Sequence, residues 1–337
     1  MNVSELRRDP VTGRWVVVST ERPRADDFDR SPVVIQPDES CPFCGGHEHM
    51  TPFEVLAYRN GSPGNQPGWD LRVVPNQSPI VRVEGDLDRQ GEGLFDKMNG
   101  IGAHEVIIES PRHEDTLATQ HETATERLLC AFQERIRDLR RDMRFKSFLP
   151  FKNHGAAAGA HLEHSHSQLF ALPIVPREVR DEPEGARVHY VAKERCLFCD
   201  IVRQELTEGR RVVAENGEAV ALAPYASRSP FETWVLPRRH QSRFEDAPGG
   251  EVAAVARLLR EVLRRMDVAL ERPPYSFVIH SAPVSESSDF YHWHIEILPK
   301  VTRFGAFEWA TGFHRNPTPP ETAAAVLRDA VREVNGT

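Results

Sequence analysis

His164-Ser165-His166-Ser167-Gln168 and, far downstream, His292-Trp293-His294-Ile295-Glu296 are two copies of one His-x-His run. Each is preceded by a lone histidine, His113 or His240, and before that by a Cys-x-x-Cys pair, Cys41-Pro-Phe-Cys44 or Cys196-Leu-Phe-Cys199. From His113 to His164 is 51 positions and from His240 to His292 is 52. The Cys-to-His loops differ, at 69 positions (44 to 113) and 41 (199 to 240). A duplicated domain behaves this way, because packed strands keep their separation while loops between them tolerate insertion.

The rest of the chain repeats in the same order. Trp15–Ser19, Leu71–Pro75, Glu105–Glu109 and Ser167–Ala171 are rich in branched and aromatic residues and read as short strands. After His113 a helix is expected with Leu128, Phe132, Ile136, Leu139 and Met143 on one stripe. The second half offers a strand at Glu232–Leu236, then His240, then a helix through Val252, Val255, Leu259, Val262 and Met266, then strands at Ser276–His280 and His294–Leu298. A terminal helix is expected within 318–334, beginning near Pro320 and Glu321 and burying Ala324, Leu327 and Val331. The Pro- and charge-rich segment from Pro173 to about Lys193 reads as a linker, dividing the chain into 1–175, a connection at 176–195, and 196–337.

Composition narrows the function classes. With 337 residues, 39% hydrophobic and 27% charged, the chain is long enough for two globular domains. No apolar run reaches the roughly 20 residues of a spanning helix, and the N-terminus lacks a secretory core, so no membrane partner and a cytoplasmic location are expected. A net charge of −8 speaks against nucleic acid as the main partner.

Four of the five cysteines sit in the two pairs, and Cys130 lies alone in a helical stretch as a small apolar residue. In a cytosolic chain, paired cysteines with distant histidines read as zinc ligands, since thiolate and imidazole suit a tetrahedral, redox-inactive ion. The competing readings are a redox Cys-x-x-Cys or cysteines that merely pack.

On a strand, residues two apart share a face, so His164, His166 and Gln168 are expected to form one polar row. With His164 on the metal, His166 is held beside it and free to act as a nucleophile toward phosphorus. Gln168 would donate to a phosphoryl oxygen as charge shifts in the transition state. Alternatively, both histidines bind the metal, or both sit on a solvated edge. Upstream, Asn153-His-Gly-Ala-Ala-Ala-Gly-Ala160 carries Gly155 and Gly159, which would let backbone N–H groups approach a phosphate; a plain turn explains them equally well.

Asn153-His-Gly-x-x-x-Gly, His164-x-His166-x-Gln168 and Asp9-Pro-Val-Thr-Gly-Arg-Trp15 together resemble the galactose-1-phosphate uridylyltransferase family, a branch of the histidine triad superfamily, over nearly the whole chain. The resemblance implies an α/β (α+β) fold of two duplicated histidine-triad-like domains, each a mainly antiparallel sheet with packed helices, the N-terminal one catalytic. It also implies a homodimer and a ping-pong reaction through a nucleotidyl-histidine. His166 would be the nucleophile. Cys41, Cys44, His113 and His164 would hold zinc, Asn153 and Gln168 would contact phosphate, Arg22 would bind the sugar phosphate, and Asn76 would lie where the nucleoside is held. Gly159 and His161 would complete the substrate site.

Several positions depart from the family pattern. Ser165 replaces the usual proline between the histidines, His161 stands where a small hydroxyl residue is expected, and a second arginine after Arg22 is matched only by Arg24, position 25 being alanine. The second Cys-x-x-Cys resembles a two-zinc branch that includes plant ADP-glucose phosphorylase. By repeat symmetry that zinc would take Cys196, Cys199, His240 and His292, with the choice between His292 and His294 open. Glu296 stands where Gln168 stands in the first half, and a carboxylate repels nucleotide phosphate, so the second copy reads as structural.

The leading expectation is a zinc-containing enzyme that moves UMP from UDP-glucose to a hexose 1-phosphate such as galactose 1-phosphate. An ADP-glucose phosphorylase or related adenylyltransferase, using an ADP-sugar with phosphate or sulfate, is the second. A noncatalytic two-zinc nucleotide-binding protein is the third.

Overall fold

The computed structural model describes residues 4–20, 28–29, 32–36, 38–284, 289–303 and 305–334. In chain order the strands and helices are β1 (Glu5–Arg8), β2 (Trp15–Val18), β3 (Leu56–Arg59), β4 (Trp69–Pro75), β5 (Gln90–Glu92), β6 (Phe95–Lys97), β7 (Ala103–Ile108), α1 (Glu122–Leu139), β8 (Ser147–His154), β9 (His166–Leu172), α2 (Arg177–Lys193), α3 (Leu197–Glu208), β10 (Val212–Glu215), β11 (Ala219–Leu222), β12 (Thr233–Pro237), α4 (Gly249–Ala269), β13 (Tyr275–His280), β14 (His294–Pro299), α5 (Ala306–Thr311), β15 (His314–Asn316) and α6 (Pro320–Val334).

Ten strands form one sheet in the order β10-β11-β12-β14-β13-β8-β9-β7-β4-β3, every neighbouring pair antiparallel. The order is symmetric about the β8–β13 seam, where Tyr275 faces His154 and Val278 faces Phe151. On either side the matching strands are β9 and β14, β7 and β12, β4 and β11, and β3 and β10. The expected duplication is therefore two five-strand halves sharing a continuous sheet. A smaller sheet, β1-β2-β15, pairs the start of the chain with its end, β15 running parallel to β2.

Alternation along β8 and β9 sorts the two sheet faces. Leu169 and Ala171 join a core with Leu128, Phe132 and Ile136 of α1 and Val255, Leu259 and Met266 of α4, all buried. His166, Gln168 and Phe170 turn to the other face and line a cleft. All five apolar residues expected on α4 are fully buried. On α1 the stripe ends sooner than expected: the helix stops at Leu139, and Met143 lies beyond it in solvent. There Arg141 N–H bonds Asp138 O and Asp142 N–H bonds Leu139 O, tightening the last turn without a glycine.

The segment read as a linker is the 17-residue helix α2 with Pro183 inside it. It lacks an apolar stripe, which is why the sequence pattern conceals it. Instead it docks through buried Glu182, Pro183 and Ala186, and through Gly185, where an added Cβ would lie 1.7 Å from Val11 O. Tertiary contact outweighs intrinsic helix propensity here. The terminal helix begins at Pro320 as expected and buries Ala324 and Leu327; the side chain of Val331 lies outside the described residues.

Candidate active site

The two Cys/His sets assemble into two clusters, Cys41, Cys44, His113 and His164, and Cys196, Cys199, His240 and His292. In the first, Cys41 Sγ and Cys44 Sγ both lie 3.6 Å from His164 Nδ1, and Cys44 Sγ is 3.5 Å from His113 Nδ1. In the second, Cys199 Sγ is 3.4 Å from His240 Nδ1 and 3.5 Å from His292 Nδ1. A tetrahedral zinc with bonds of about 2.3 Å to sulfur and about 2.0–2.1 Å to nitrogen sets S···N separations of about 3.5 Å, so both sets fit such an ion. The far nitrogen of each inner histidine is fixed by a carbonyl: His164 Nε2–H donates to Ser110 O at 2.8 Å and His292 Nε2–H to Pro237 O at 3.0 Å. That outer bond turns Nδ1 toward the thiols. Burial also pushes His164 down to about 4, keeping the imidazole neutral as a metal ligand requires. Of the two histidines left open in the second half, His292 is the one whose ring lies with the cysteines, while His294 groups with Glu182, His280 and Glu296.

The polar row is shorter than strand alternation suggests. β9 begins at His166, so His164 lies just before it with its ring among the cysteines, while His166, Gln168 and Phe170 line a cleft of about 580 Å³. His166 Nδ1–H donates to His164 O at 2.8 Å, which leaves Nε2 with the lone pair in the neutral ring. Burial lowers the His166 pKa, against the raising effect of that hydrogen bond, so the neutral form prevails near pH 7. Phe43, between the two cysteines, packs edge-on against both His164 and His166, with centroids 6.0 and 5.4 Å away. The metal-type knuckle and the candidate nucleophile thus share one aromatic wall.

Asn76, Asn153, Gly159, His161 and Gln168 all line the same cleft. Gln168 Oε1 accepts from His104 Nε2 at 2.8 Å. Asn76 Oδ1 accepts from Ser78 N–H at 2.8 Å, and its amide nitrogen lies 3.0 Å from His104 Nε2. Hydrogen-bond satisfaction turns the Asn153 amide nitrogen toward Ser276 Oγ at 3.0 Å and Ala158 O at 3.3 Å, so it ties β8 to the turn that follows. The glycine run is that turn. Ala158 and Ala160 N–H both bond Gly155 O, and Gly159 N–H bonds Ala156 O, so these groups serve the turn rather than the cleft. Gly159, at φ +91°, contributes by leaving space beside Asn153. Arg22 and Arg24 lie outside the described residues.

Two lining residues escaped the sequence reading. His104 stacks on Phe170 at 4.0 Å and contacts both Asn76 and Gln168. The strand expected from Glu105 begins two residues earlier, at Ala103, and the alternation His104, Val106 marks the cleft face of β7. Phe43, inside the first Cys-x-x-Cys, also lines the cleft.

The second half closes the equivalent position. His294 Nδ1–H donates to His292 O at 3.0 Å, copying His166, but the ring is fully buried, with His280 stacked 4.8 Å away and Glu182 Oε2 4.0 Å from Nε2. His280 stands across from His294 on β13, as Asn153 stands across from His166 when the β8–β9 register is continued. Glu182, from α2, accepts from Tyr291 OH at 2.8 Å and from His280 Nδ1 at 3.0 Å, and Arg228 pairs with Glu296. Burial opposes a charge on His280, but Glu182 and Glu296 outweigh it and raise its pKa to about 10. Glu182, His280, His294 and Glu296 bring four potential ligand atoms within 4.8 Å. In this half the histidine therefore faces buried carboxylates rather than an open cleft.

Comparison with known proteins places this architecture. The family model for the galactose-1-phosphate uridyl transferase N-terminal domain matches residues 1–176, and that for the C-terminal domain matches residues 184–328. ADP-glucose phosphorylase of Arabidopsis thaliana is 34% identical over 333 residues, covering 96% of this chain and 92% of the relative. Galactose-1-phosphate uridylyltransferase of Thermotoga maritima is 29% identical over 341 residues, covering 98% and 99%. Among solved structures, the Arabidopsis thaliana ADP-glucose phosphorylase with bound ADP-glucose superposes with a TM-score of 0.82 at 32% identity, over 97% of this chain and 99% of that one. A uridylyltransferase superposes at 0.77 and 28%, over 98% and 99%. The chain belongs to the galactose-1-phosphate uridylyltransferase family.

Proposed function

We propose that this protein is a nucleotidyltransferase working through a covalent nucleotidyl-His166. The observation that carries the reading is the His166 ring in the cleft, with Nδ1–H committed to the His164 carbonyl and Gln168 alongside on the same strand face. His166 Nε2 attacks the α-phosphorus of UDP-glucose, a P–N bond forms, and the P–O bond to glucose 1-phosphate breaks. A hexose 1-phosphate such as galactose 1-phosphate then attacks the same phosphorus, forming the new diphosphate and freeing His166. One set of phosphate contacts serves both half-reactions.

In this reading Gln168 donates its amide N–H to the α-phosphate oxygen. Asn76 holds the nucleoside, Asn153 and Gly159 shape the phosphate end, His161 faces the entering sugar phosphate, and Arg22 binds it. Zinc fits both Cys/His sets and would supply rigid anchorage, holding His164 so that the next-but-one residue is aimed at the cleft. The N-terminal half, 1–175, is the catalytic domain and 196–337 the supporting one. The enzyme works in the cytoplasm as a homodimer on nucleotide-sugar and sugar-phosphate substrates. Among the described residues no helix is long and apolar enough to cross a membrane.

The similarity to ADP-glucose phosphorylase, together with the second Cys-x-x-Cys, favours a second reading: an ADP-sugar donor with inorganic phosphate as acceptor. Intact-mass measurement after incubation with UDP-glucose or with ADP-glucose separates the donors. A nucleotidyl adduct that is acid-labile and absent in His166→Ala is the expected result. No mass change with either donor would refute covalent transfer, and an acceptor panel on the loaded protein then distinguishes hexose 1-phosphate from phosphate.

A further inference from the structure

Beneath His166, on the sheet face opposite the cleft, lies a buried network of Glu109, Lys152, Ser165 and Ser167. Lys152 has three N–H donors and three acceptors: Glu109 Oε2 at 2.8 Å, Ser165 Oγ at 3.0 Å and the His166 carbonyl at 3.0 Å. Ser165 Oγ–H donates onward to Glu109 Oε2 at 2.6 Å, and Ser167 Oγ–H donates to the other Glu109 oxygen. The Glu109 N–H donates to Ser165 O at 3.2 Å. Every ammonium proton and both carboxylate oxygens are satisfied, and all four residues are at most 3% exposed.

The other half of the molecule is an internal control. Register places Trp293 where Ser165 stands, Ile295 where Ser167 stands, Ile279 where Lys152 stands, and Pro237 where Glu109 stands. Those four carry no charge: Trp293, Ile295 and Ile279 are fully buried in the core, and Trp293 packs on Phe244 with centroids 5.1 Å apart while its indole N–H donates to Glu251 Oε1 at 3.3 Å. The same fold therefore closes this position without an ion pair, and its histidine, His294, is sealed from solvent. An ionic floor occurs only under the histidine that opens to the cleft. A buried ion pair is a poor source of stability, since apolar replacements of similar volume serve as well or better. Its retention under one histidine of the pair calls for a positional role.

We propose that the Lys152–Glu109–Ser165–Ser167 network positions His166, gripping the peptide units of residues 165 and 166 from the core side so that the imidazole keeps its Nδ1–H on His164 O. His164 is anchored from one end by the cysteine cluster. The network anchors the other end through the Ser165 carbonyl and hydroxyl and the His166 carbonyl, so the ring hangs between two fixed points. Ser165, in place of a proline that has no hydroxyl, is the link that joins both charges to the strand. These four residues touch neither donor nor acceptor; they act through His166.

The inference rests on the covalent reading above, and the test keeps the two separable. In wild type, Ser165→Ala, Ser165→Thr and the charge-free pair Lys152→Met/Glu109→Gln, the rate of nucleotidyl adduct formation is followed by rapid-quench mass spectrometry at saturating donor. Donor affinity is measured in the same proteins on a His166→Ala background, and the thermal midpoint is recorded. Expected are a tenfold or greater slowing in Ser165→Ala and in the double variant, donor affinity within twofold of its reference, and recovery to within threefold of wild type in Ser165→Thr. Adduct formation at the wild-type rate in Ser165→Ala overturns the positioning role while leaving covalent transfer intact. So does a slowing that tracks loss of affinity or of folded protein. If Ser165→Ala does not fold, the double variant is judged by the same criteria. Absence of an adduct in the wild type itself overturns the covalent reading and this proposal with it.

Discussion

At the scale of single residues, the cleft is organised by pairs in which one partner fixes the other. Gln168 is held by His104 through its carbonyl oxygen, which in the proposed reaction leaves its N–H2 for the substrate. Gln168→Ala should lower kcat by about 10²-fold or more, the usual loss on removing one transition-state donor, with a smaller change in donor KM; steady-state kinetics on the donor found to form the adduct decide this. His166 itself has a depressed pKa, because burial disfavours the imidazolium. As the proposed nucleophile it must be neutral, so its active form would persist below the ordinary histidine value of about 6.5. Single-turnover adduct formation should therefore hold its rate as pH falls through that value. A fall centred at or above it would contradict a desolvated nucleophile.

At the scale of elements, α2 shows how a segment without an apolar stripe becomes an ordered helix. Its contacts are made by a carboxylate, a proline and two small residues, and the tightest is backbone against backbone at Gly185. Glycine-to-alanine in a helix interior ordinarily stabilises by about 1 kcal/mol. Gly185→Ala should do the reverse, because its Cβ meets the Val11 carbonyl oxygen and carbon at 1.7 and 2.9 Å, and neither can swing away. A loss of about 3 kcal/mol or more in urea unfolding is expected. Period-3.6 patterning located α1 and α4 because both bury one apolar face on the sheet. It missed α2 because that helix is recruited by shape and by Glu182 rather than by hydrophobic area.

For the whole molecule, stability should show a dome in pH with causes on both flanks. His280 has a folded pKa of about 10 against about 6.5 unfolded, so its contribution is full below about 6.5 and is lost as pH rises through 10. His154 and His294 are pushed by burial to about 4, so their contribution is present above about 6.5 and is lost as pH falls toward 4. Thermal midpoints measured from pH 5 to pH 10 should fall at both ends, and His280→Ala should remove the alkaline limb while lowering stability overall, because Glu182 and Glu296 are left with Arg228 as their remaining cation. If the Cys/His sets hold metal, its removal with a strong chelator should also lower the midpoint, since the first set joins the Cys41–Cys44 loop, and the second the start of α3, to distant histidines, and ligand binding is linked to folding. An unchanged midpoint after verified metal loss would contradict that linkage.

What was legible in the sequence was whatever repeats or alternates. Two Cys-x-x-Cys pairs, two lone histidines and two His-x-His runs at matched pitch determined the duplication, the two clusters and the residue on offer as nucleophile, because ligand type and strand spacing are local properties. Only the tertiary structure decided which histidine of each pair turns to the thiols, since that depends on a carbonyl from a distant part of the chain, Ser110 or Pro237. It also decided that one His-x-His opens to a cleft while its twin is plugged by Glu182, a residue more than 100 positions away in the chain from its partner Tyr291. The same holds for the ionic floor beneath His166. Contacts of that length carry no periodicity; they exist because burial leaves each polar group to find its partner across the fold.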